Sequence, residues 1–268
     1  MSDAQRLARY VEVWWQAIDD FTSFLEEVPA ESWHDPTDLP GWDVHALAAH
    51  TAHLESVLAG SPEETVEVGE PDHVTSLMGL YTEQGVVARK DRSPDELIRE
   101  IREAATRRHT ALLADPPQDG RAKPDRIFGG IGWDWETLLR NRPLDVWMHE
   151  QDARRALDRP GNLDSPAAQH TADYLIESLG FIVGKRVAPP AGTIVVLEVA
   201  GSAPYAVEVG ADGRAHRTSE VAEPTTRIAM SRADFVVLAG GRRAPEQVAI
   251  TGDEAMGAQV LDAFAVTP

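Results

Sequence analysis

The sequence predicts an α plus α+β protein, with a four-helix bundle over residues 1–160 and a smaller α+β domain over residues 161–268. Three observations support this division. Apolar residues in the first part recur with the 3.6-residue period of amphipathic helices. The stretch DRPGNLDSP, residues 158–166, interrupts that pattern with turn-forming residues. The runs that follow are short and rich in Val, Ile and Thr, which is typical of strands.

The first two helices are separated by a clear turn. Apolar residues of the first segment follow a helical stripe, and they are Leu7, Val11, Trp14, Trp15, Ile18, Phe21, Phe24 and Leu25. Pro40 and Gly41 form a turn signal. Asp43 then stands where an N-cap is needed, so a second helix is predicted to begin after it and to end at Gly60.

Two further main helices complete the predicted bundle. Ser93 is a good N-cap and Pro94 suits a first helical turn, so a helix is predicted from there to Asp115. The preceding segment Val74–Arg89 also has helical character. The fourth main helix contains LRNRPLDVWMHEQDARRAL, residues 139–157.

The second domain is predicted to combine a sheet with several helices. One continuous helix is expected over residues 167–187. Strand-like runs and helical segments follow in order: strands GTIVVLEVA, YAVEVGA and TTRIAMS, helix RADFVVLAGG, strand QVAIT and helix DEAMGAQVLDAF.

The bulk composition narrows the classes of function. The formal net charge of -19 repels phosphate backbones and anionic lipid heads, which argues against nucleic-acid and membrane-surface partners. No signal-peptide core or membrane-length apolar run occurs, so we expect a cytoplasmic protein. Cysteine is absent. Any thiol chemistry must therefore use sulfur from a cofactor or substrate.

The fourth helix carries the most unusual pattern in the sequence. At 100° per residue, Asp145, His149 and Asp152 fall on one narrow face. In the second helix, His50 lies at the edge of the apolar stripe, whereas His53 lies further round and His45 points away. If His50 faces Asp145 and His149, two imidazoles and a carboxylate form a three-ligand metal site with an exchangeable position.

Several alternatives stay open from the residues alone. Zinc fits this ligand set, and iron(II), nickel or manganese would also fit. Asp152 is either a fourth ligand or an acceptor that orients His149. A structural interpretation also exists, in which His50 is a hydrogen-bonded core residue. In that case Asp145 lies in the first turn of a helix restarted at Pro143, and Asp152 pairs with a nearby surface arginine, Arg155 or Arg159.

Two stretches resemble a known family. LPGWDVHALAAHTAHLE, residues 39–55, resembles the helix-2 signature of the mycothiol-dependent maleylpyruvate isomerase-like proteins, which are DinB-like metal-binding bundles. DVWMHEQDARRALDRPG, residues 145–161, is similar to the fourth-helix segment of that family, and the tail resembles its C-terminal α+β domain. The resemblance places the three metal ligands on His50, Asp145 and His149. The family carboxylate is often Glu, so Asp145 is one methylene shorter.

The resemblance also implies a chemistry. A divalent metal, with zinc favoured, would hold the thiol of mycothiol as a thiolate beside a small electrophile such as maleylpyruvate, for cis–trans isomerisation or S-transfer. The family's functional arginine is best matched by Arg242 in LAGGRRAP, favoured over Arg243, although a solvated loop is the alternative for both. Loops 61–74 and 116–132 are expected to shape the pocket, and the chain is expected to be a monomer or homodimer.

Two other functions fit the same residues. One is a non-catalytic metal- or ligand-binding protein that keeps the bundle without the chemistry. The other is a hydrolase or lyase whose metal activates water instead of sulfur.

Overall fold

The computed structural model describes residues 1–219 and 223–267. Two compact units divide the chain, Met1–Gly161 and Asn162–Pro268. The first unit is helical, and the second combines helices with a sheet. The predicted fold class, a helical domain followed by a smaller α+β domain, is confirmed. None of the described helices is both long and apolar enough to cross a membrane.

The first unit contains four long helices and one shorter helix among its described residues. They are α1 (Asp3–Glu26), α2 (Val44–Leu58), α3 (Leu77–Val87), α4 (Pro94–Ala114) and α5 (Trp135–Ala156). Helix α1 packs against α4 and α5, and α2 packs against α3, α4 and α5. The four predicted main helices and the shorter one are all present. This packing places α2 and α5, which bear the candidate ligands, side by side in the interior of the bundle.

Side-chain caps set the starts of these helices. Asp43 accepts from the backbone N–H of Ala46 at 2.8 Å, and Ser93 forms a capping box at the start of α4. Asp134 caps α5 through the N–H of Thr137 at 2.9 Å. Because α5 already begins at Trp135, the alternative in which a helix restarts at Pro143 is wrong.

Helix α2 is buried on all of its faces. Every residue from Val44 to Leu58 is buried, whereas the sequence indicated a single apolar stripe. The expectation that His45 points away from the interior is wrong, since its ring is only 6% exposed and its Nε2 lies 2.8 Å from the carbonyl oxygen of Arg92. His53 is fully buried as well. Neighbouring helices on several sides, rather than one apolar face, explain this burial.

The second unit is built on a five-stranded sheet within residues 162–219 and 223–267. Its strands are β1 (Ile194–Val199), β2 (Tyr205–Val209), β3 (Ala215–Arg217), β4 (Thr226–Met230) and β5 (Val248–Gly252), in the order β3-β2-β1-β4-β5. Strand β1 runs parallel to β4, and the other pairs are antiparallel. Strand β3 was not predicted, because it is only three residues long, contains His216 and Arg217, and lies at an edge of the sheet.

The first helical segment of this unit differs from the sequence prediction. The predicted continuous helix over residues 167–187 is interrupted, since α6 (Pro166–Ile176) ends before α7 (Leu179–Phe181) and a π-helical turn (Ile182–Val187) follows. That turn ends at Ala188, whose left-handed backbone stops the helix. Helices α8 (Arg232–Ala239) and α9 (Glu254–Asp262) flank β5 as predicted.

A close approach between α3 and α2 yields the first prediction. A Cβ added to Gly85 would lie 2.2 Å from Cγ of His53, so Gly85→Ala forces the two helices or the buried ring to move. We expect a loss of about 1–3 kcal/mol in the free energy of unfolding, measured by chemical denaturation.

Gly79 in the same helix is the matched control. A Cβ there would meet only the Ser76 hydroxyl at 3.3 Å and Val74 at 3.9 Å. Gly79→Ala should leave stability unchanged or raise it by up to about 1 kcal/mol, through helix propensity. Equal effects of the two substitutions would contradict the role of the His53 contact.

Candidate metal centre

The packing of α2 against α5 brings the three predicted ligands together. His50 Nε2 lies 3.6 Å from Oδ2 of Asp145, and His149 Nε2 lies 3.7 Å from Oδ1 of the same carboxylate. One ligand atom from each residue lies within 4.8 Å of the other two. Ligands held at about 2.0–2.2 Å by a tetrahedral ion are about 3.3–3.6 Å apart. The cluster therefore has nearly the dimensions of a divalent-cation site.

The environment of His50 also suits a metal ligand. Both of its ring nitrogens are buried without a hydrogen-bond partner among the described residues. Its ring packs edge-on against His149, with centroids 4.8 Å apart, and against Trp42 at 5.0 Å. A buried nitrogen without a partner costs free energy, and a bound cation would remove that cost for one of the two. The described residues offer no hydrogen bond within 3.5 Å that would make His50 a hydrogen-bonded core residue, and the assignment of His50 as a metal ligand stays a prediction.

Asp152 lies behind His149. Its Oδ2 is 3.3 Å from Nδ1 of His149, and its side chain is fully buried. Arg155 donates to the other oxygen of Asp152 and also to Asp38 at 2.7 Å. This contact suits an orienting role for Asp152, and its pairing with Arg155 is partly buried rather than on the surface. With Nδ1–H donated to Asp152, the Nε2 lone pair of His149 faces Asp145.

Asp145 sits in the interior of α5 and is ionised. Burial acts to raise the pKa of its carboxyl, but Arg142 together with His50 and His149 holds that pKa well below its usual range. The Arg142 guanidinium donates to Oδ2 at 2.9 Å. The Asp145 side chain is 21% exposed, against 4% for His50 and 8% for His149, so the carboxylate is the solvent-facing side of the cluster.

The two imidazoles have opposite pKa shifts. Burial lowers the pKa of His50, and Asp145 opposes this only in part. Burial also acts to lower the pKa of His149, but the neighbouring carboxylates of Asp145 and Asp152 outweigh it and raise the pKa above the ordinary histidine value. The lowered pKa favours the neutral form of His50, whereas the raised pKa favours the protonated form of His149, so a cation that binds this imidazole competes with a proton.

A buried ionic cluster next to the candidate centre was missed by sequence reasoning. Glu55 accepts from Arg142 at 2.7 Å, from Arg108 at 3.1 Å and from the indole N–H of Trp14 at 3.0 Å. Glu55 is the last residue of the helix-2 signature, yet no role was assigned to it. The sequence does contain a signal for this cluster: Glu55, Arg108 and Arg142 are charged residues at positions that helical periodicity places in the interior of the bundle.

Trp42 lies beside the cluster, whereas Arg242, the predicted functional arginine, lies in the second unit. Trp42 packs on both imidazoles and donates its indole N–H to Glu83 at 2.8 Å. Arg242 belongs to the second unit, where it is half-buried and donates to the carbonyl of Gly240 at 2.6 Å and to Thr267 at 3.2 Å. Arg243 is exposed.

Fold and site together define a class: a two-domain protein with a helical bundle that carries a two-histidine, one-carboxylate cluster, followed by an α+β unit. Residues 14–154 match the family model of the mycothiol maleylpyruvate isomerase N-terminal domain. Residues 169–259 match the C-terminal domain of the same family. The chain belongs to the mycothiol maleylpyruvate isomerase family, so the family predicted from the two sequence motifs is confirmed.

Individual relatives are distant but cover more than nine-tenths of the chain. The uncharacterised proteins Rv0036c and MT0041 of Mycobacterium tuberculosis are 27% identical over 262 residues, which is 93% of this chain and of each relative. Crystal structures of the mycothiol-dependent maleylpyruvate isomerase and of a histidine-to-alanine mutant of it match at TM-scores of 0.56 and 0.57. Their identity to this chain is 18%, with 94% of this chain and 96% of theirs covered, which shows a shared fold.

The raised pKa of His149 predicts a pH-dependent affinity for divalent cations. Protons compete with the cation for Nε2, so affinity should rise with pH. Below the raised pKa it should increase about tenfold per pH unit, the limit for one displaced proton. Calorimetric titration with Zn²⁺ between about pH 6 and pH 8 checks this. An affinity that stays flat over that range would contradict the predicted protonation of His149.

Proposed function

We propose that the chain is a divalent-metal-dependent enzyme that uses mycothiol as a thiolate for cis–trans isomerisation or S-transfer with a small electrophile such as maleylpyruvate. The observation that carries the proposal is the convergence of His50, Asp145 and His149 within 4.8 Å, in a chain of this family. Zinc is the ion we favour, since two imidazoles, one carboxylate and an exchangeable position are its usual catalytic ligand set.

The protein groups have distinct tasks in this proposal. His50 and His149 would each offer one ring nitrogen, and the Asp145 carboxylate would balance part of the charge of the cation. Asp152 would keep the Nε2 lone pair of His149 available by accepting the proton of Nδ1. When bound, the ion would lower the pKa of a coordinated thiol so that the thiolate forms near neutral pH.

The surroundings of the cluster support this use. The Trp42 indole covers the two imidazole rings, at centroid distances of 5.0 and 5.9 Å. Apolar cover excludes water from the histidine side and strengthens the electrostatic effect of the site's charges. The exposed fraction of Asp145 leaves the carboxylate side for the entry of a thiol.

The proposal predicts that wild-type protein binds one divalent ion and that mycothiol binds only when the ion is present. His149→Ala should lose stoichiometric metal and mycothiol binding, because two remaining ligands cannot hold the ion with comparable affinity. Its helical content should stay near wild type, since α5 keeps its caps. Elemental analysis, calorimetry with mycothiol and circular dichroism measure the three quantities.

His109→Ala is the matched control. His109 stacks on Trp15, with ring centroids 4.3 Å apart, and does not belong to the cluster. It should keep metal and thiol binding. Wild-type protein with metal but no affinity for mycothiol would instead support a hydrolase or a binding protein. Stoichiometric metal in His149→Ala would overturn the ligand assignment.

We also propose that Arg242 binds a substrate carboxylate, which rests on the match of LAGGRRAP to the family's functional arginine. Arg242→Ala should leave the metal content unchanged. It should lower kcat/KM for a carboxylate substrate by about 10- to 100-fold, as expected for loss of a charged hydrogen bond. The neighbouring Arg243→Ala is the control and should retain activity. Unchanged kinetics of Arg242→Ala would refute the assignment.

A further inference from the structure

The buried ionic cluster of Trp14, Glu55, Arg108 and Arg142 lies directly behind the candidate centre. Arg142 is fully buried, and a single guanidinium bonds two carboxylates from different helices. Its Nε and Nη2 donate to Oε1 of Glu55 at 3.0 and 2.7 Å, and its Nη1 donates to Oδ2 of Asp145 at 2.9 Å. Because the guanidinium of Arg142 is planar and rigid, its hydrogen bonds fix the position of the Asp145 carboxylate relative to that of Glu55.

Glu55 is itself fixed from two further helices. Trp14 of α1 donates to Oε1 at 3.0 Å, and Arg108 of α4 donates to Oε2 at 3.1 Å. The Glu55 side chain is fully buried. With both oxygens occupied and every partner buried, the carboxylate has no room to turn. Arg142 is thus anchored to α2 rather than being free to follow Asp145.

The net stability of such a cluster does not explain its arrangement. The two arginines of the cluster balance the charges of Glu55 and of the adjacent Asp145, yet buried ion pairs contribute little compared with apolar packing of similar volume, because of the cost of desolvation. The distinctive effect of the cluster is that it holds Oδ2 of Asp145 in one position. An aspartate side chain has two rotatable bonds, so a fixed Oδ2 also fixes the direction of Oδ1.

We infer that Arg142 is a positioning residue that reserves Oδ2 of Asp145, so that this carboxylate binds the cation through Oδ1 alone. This inference rests on the proposed metal-dependent function. Oδ1 lies 3.7 Å from Nε2 of His149 and accepts no hydrogen bond from Arg142, whereas Oδ2 lies 3.6 Å from Nε2 of His50 but already accepts from Arg142. The anchored guanidinium offsets the shorter reach of Asp145, because it holds the carboxylate at the imidazoles. Coordination by a single oxygen also leaves a position for an exchangeable ligand.

The test compares Co²⁺ binding by Arg142→Lys and by Arg108→Lys. Lysine keeps the positive charge but cannot bridge Glu55 and Asp145 as a planar fork does. Arg142→Lys should bind Co²⁺ about 10- to 100-fold more weakly, the usual effect of losing a group that orients a ligand. Its visible absorption should also change, since the intensity of the cobalt bands reports coordination number.

Arg108→Lys is the matched control, because Arg108 bonds Glu55 but not Asp145. It should lower the stability of the metal-free protein and leave Co²⁺ affinity and spectrum near wild type. Equal effects of the two variants on cobalt binding, or none from Arg142→Lys, would overturn the role of Arg142 while leaving the metal centre intact. Wild-type protein that binds no Co²⁺ would overturn the proposed function as well.

A measurement on wild-type protein tests whether Asp145 binds the cation through one oxygen, even if Arg142→Lys fails to fold. Aspartate labelled with carbon-13 allows the carboxylate stretches of Asp145 to be followed by difference infrared spectroscopy when Zn²⁺ is added. A wide separation of the two stretches, typical of coordination through one oxygen, is expected. A narrow separation, typical of both oxygens on the ion, would overturn the inference.

Discussion

The candidate centre depends on the buried contact between α2 and α5, because neither helix carries a complete ligand set. Helix α2 supplies His50, and α5 supplies Asp145 and His149. The Glu55–Arg142 pair crosses the same contact, with both side chains fully buried. A buried charge pair tolerates little displacement, since either partner alone would be left unpaired in the interior. The register of the two helices, and with it the spacing of the three ligands, is therefore held by electrostatics as well as by packing.

The sequence predicted the parts of the fold that local periodicity and caps determine. The main helices and the shared face of Asp145 and His149 follow from the 3.6-residue period. The orienting role of Asp152 was one of two open alternatives, and its contact with Nδ1 of His149 favours that role. Burial of His45 and the cluster around Glu55 were not predictable in this way, because they depend on which helices surround α2.

The second unit shows the same limit for short elements. Strand β3 has only three residues, Ala215–Arg217, and its existence is determined by pairing with β2 rather than by its own pattern. The break after α6 likewise has no strong local signal such as proline or glycine at Glu177 and Ser178. The direction of the histidine pKa shifts is also a tertiary property, since His149 lies beside both Asp145 and Asp152, whereas His50 lies beside Asp145 alone.

The segment that precedes α2 has a consequence for the order of events during synthesis. It supplies Trp42, which packs on both imidazoles, and Asp38, which holds Arg155 from 117 residues away in the chain. Long-range contacts of this kind form only after large loops have closed. A ribosome-bound chain that ends before α5 lacks Asp145 and His149, two of the three clustered residues. The cluster can therefore assemble only after the bundle has been translated almost completely.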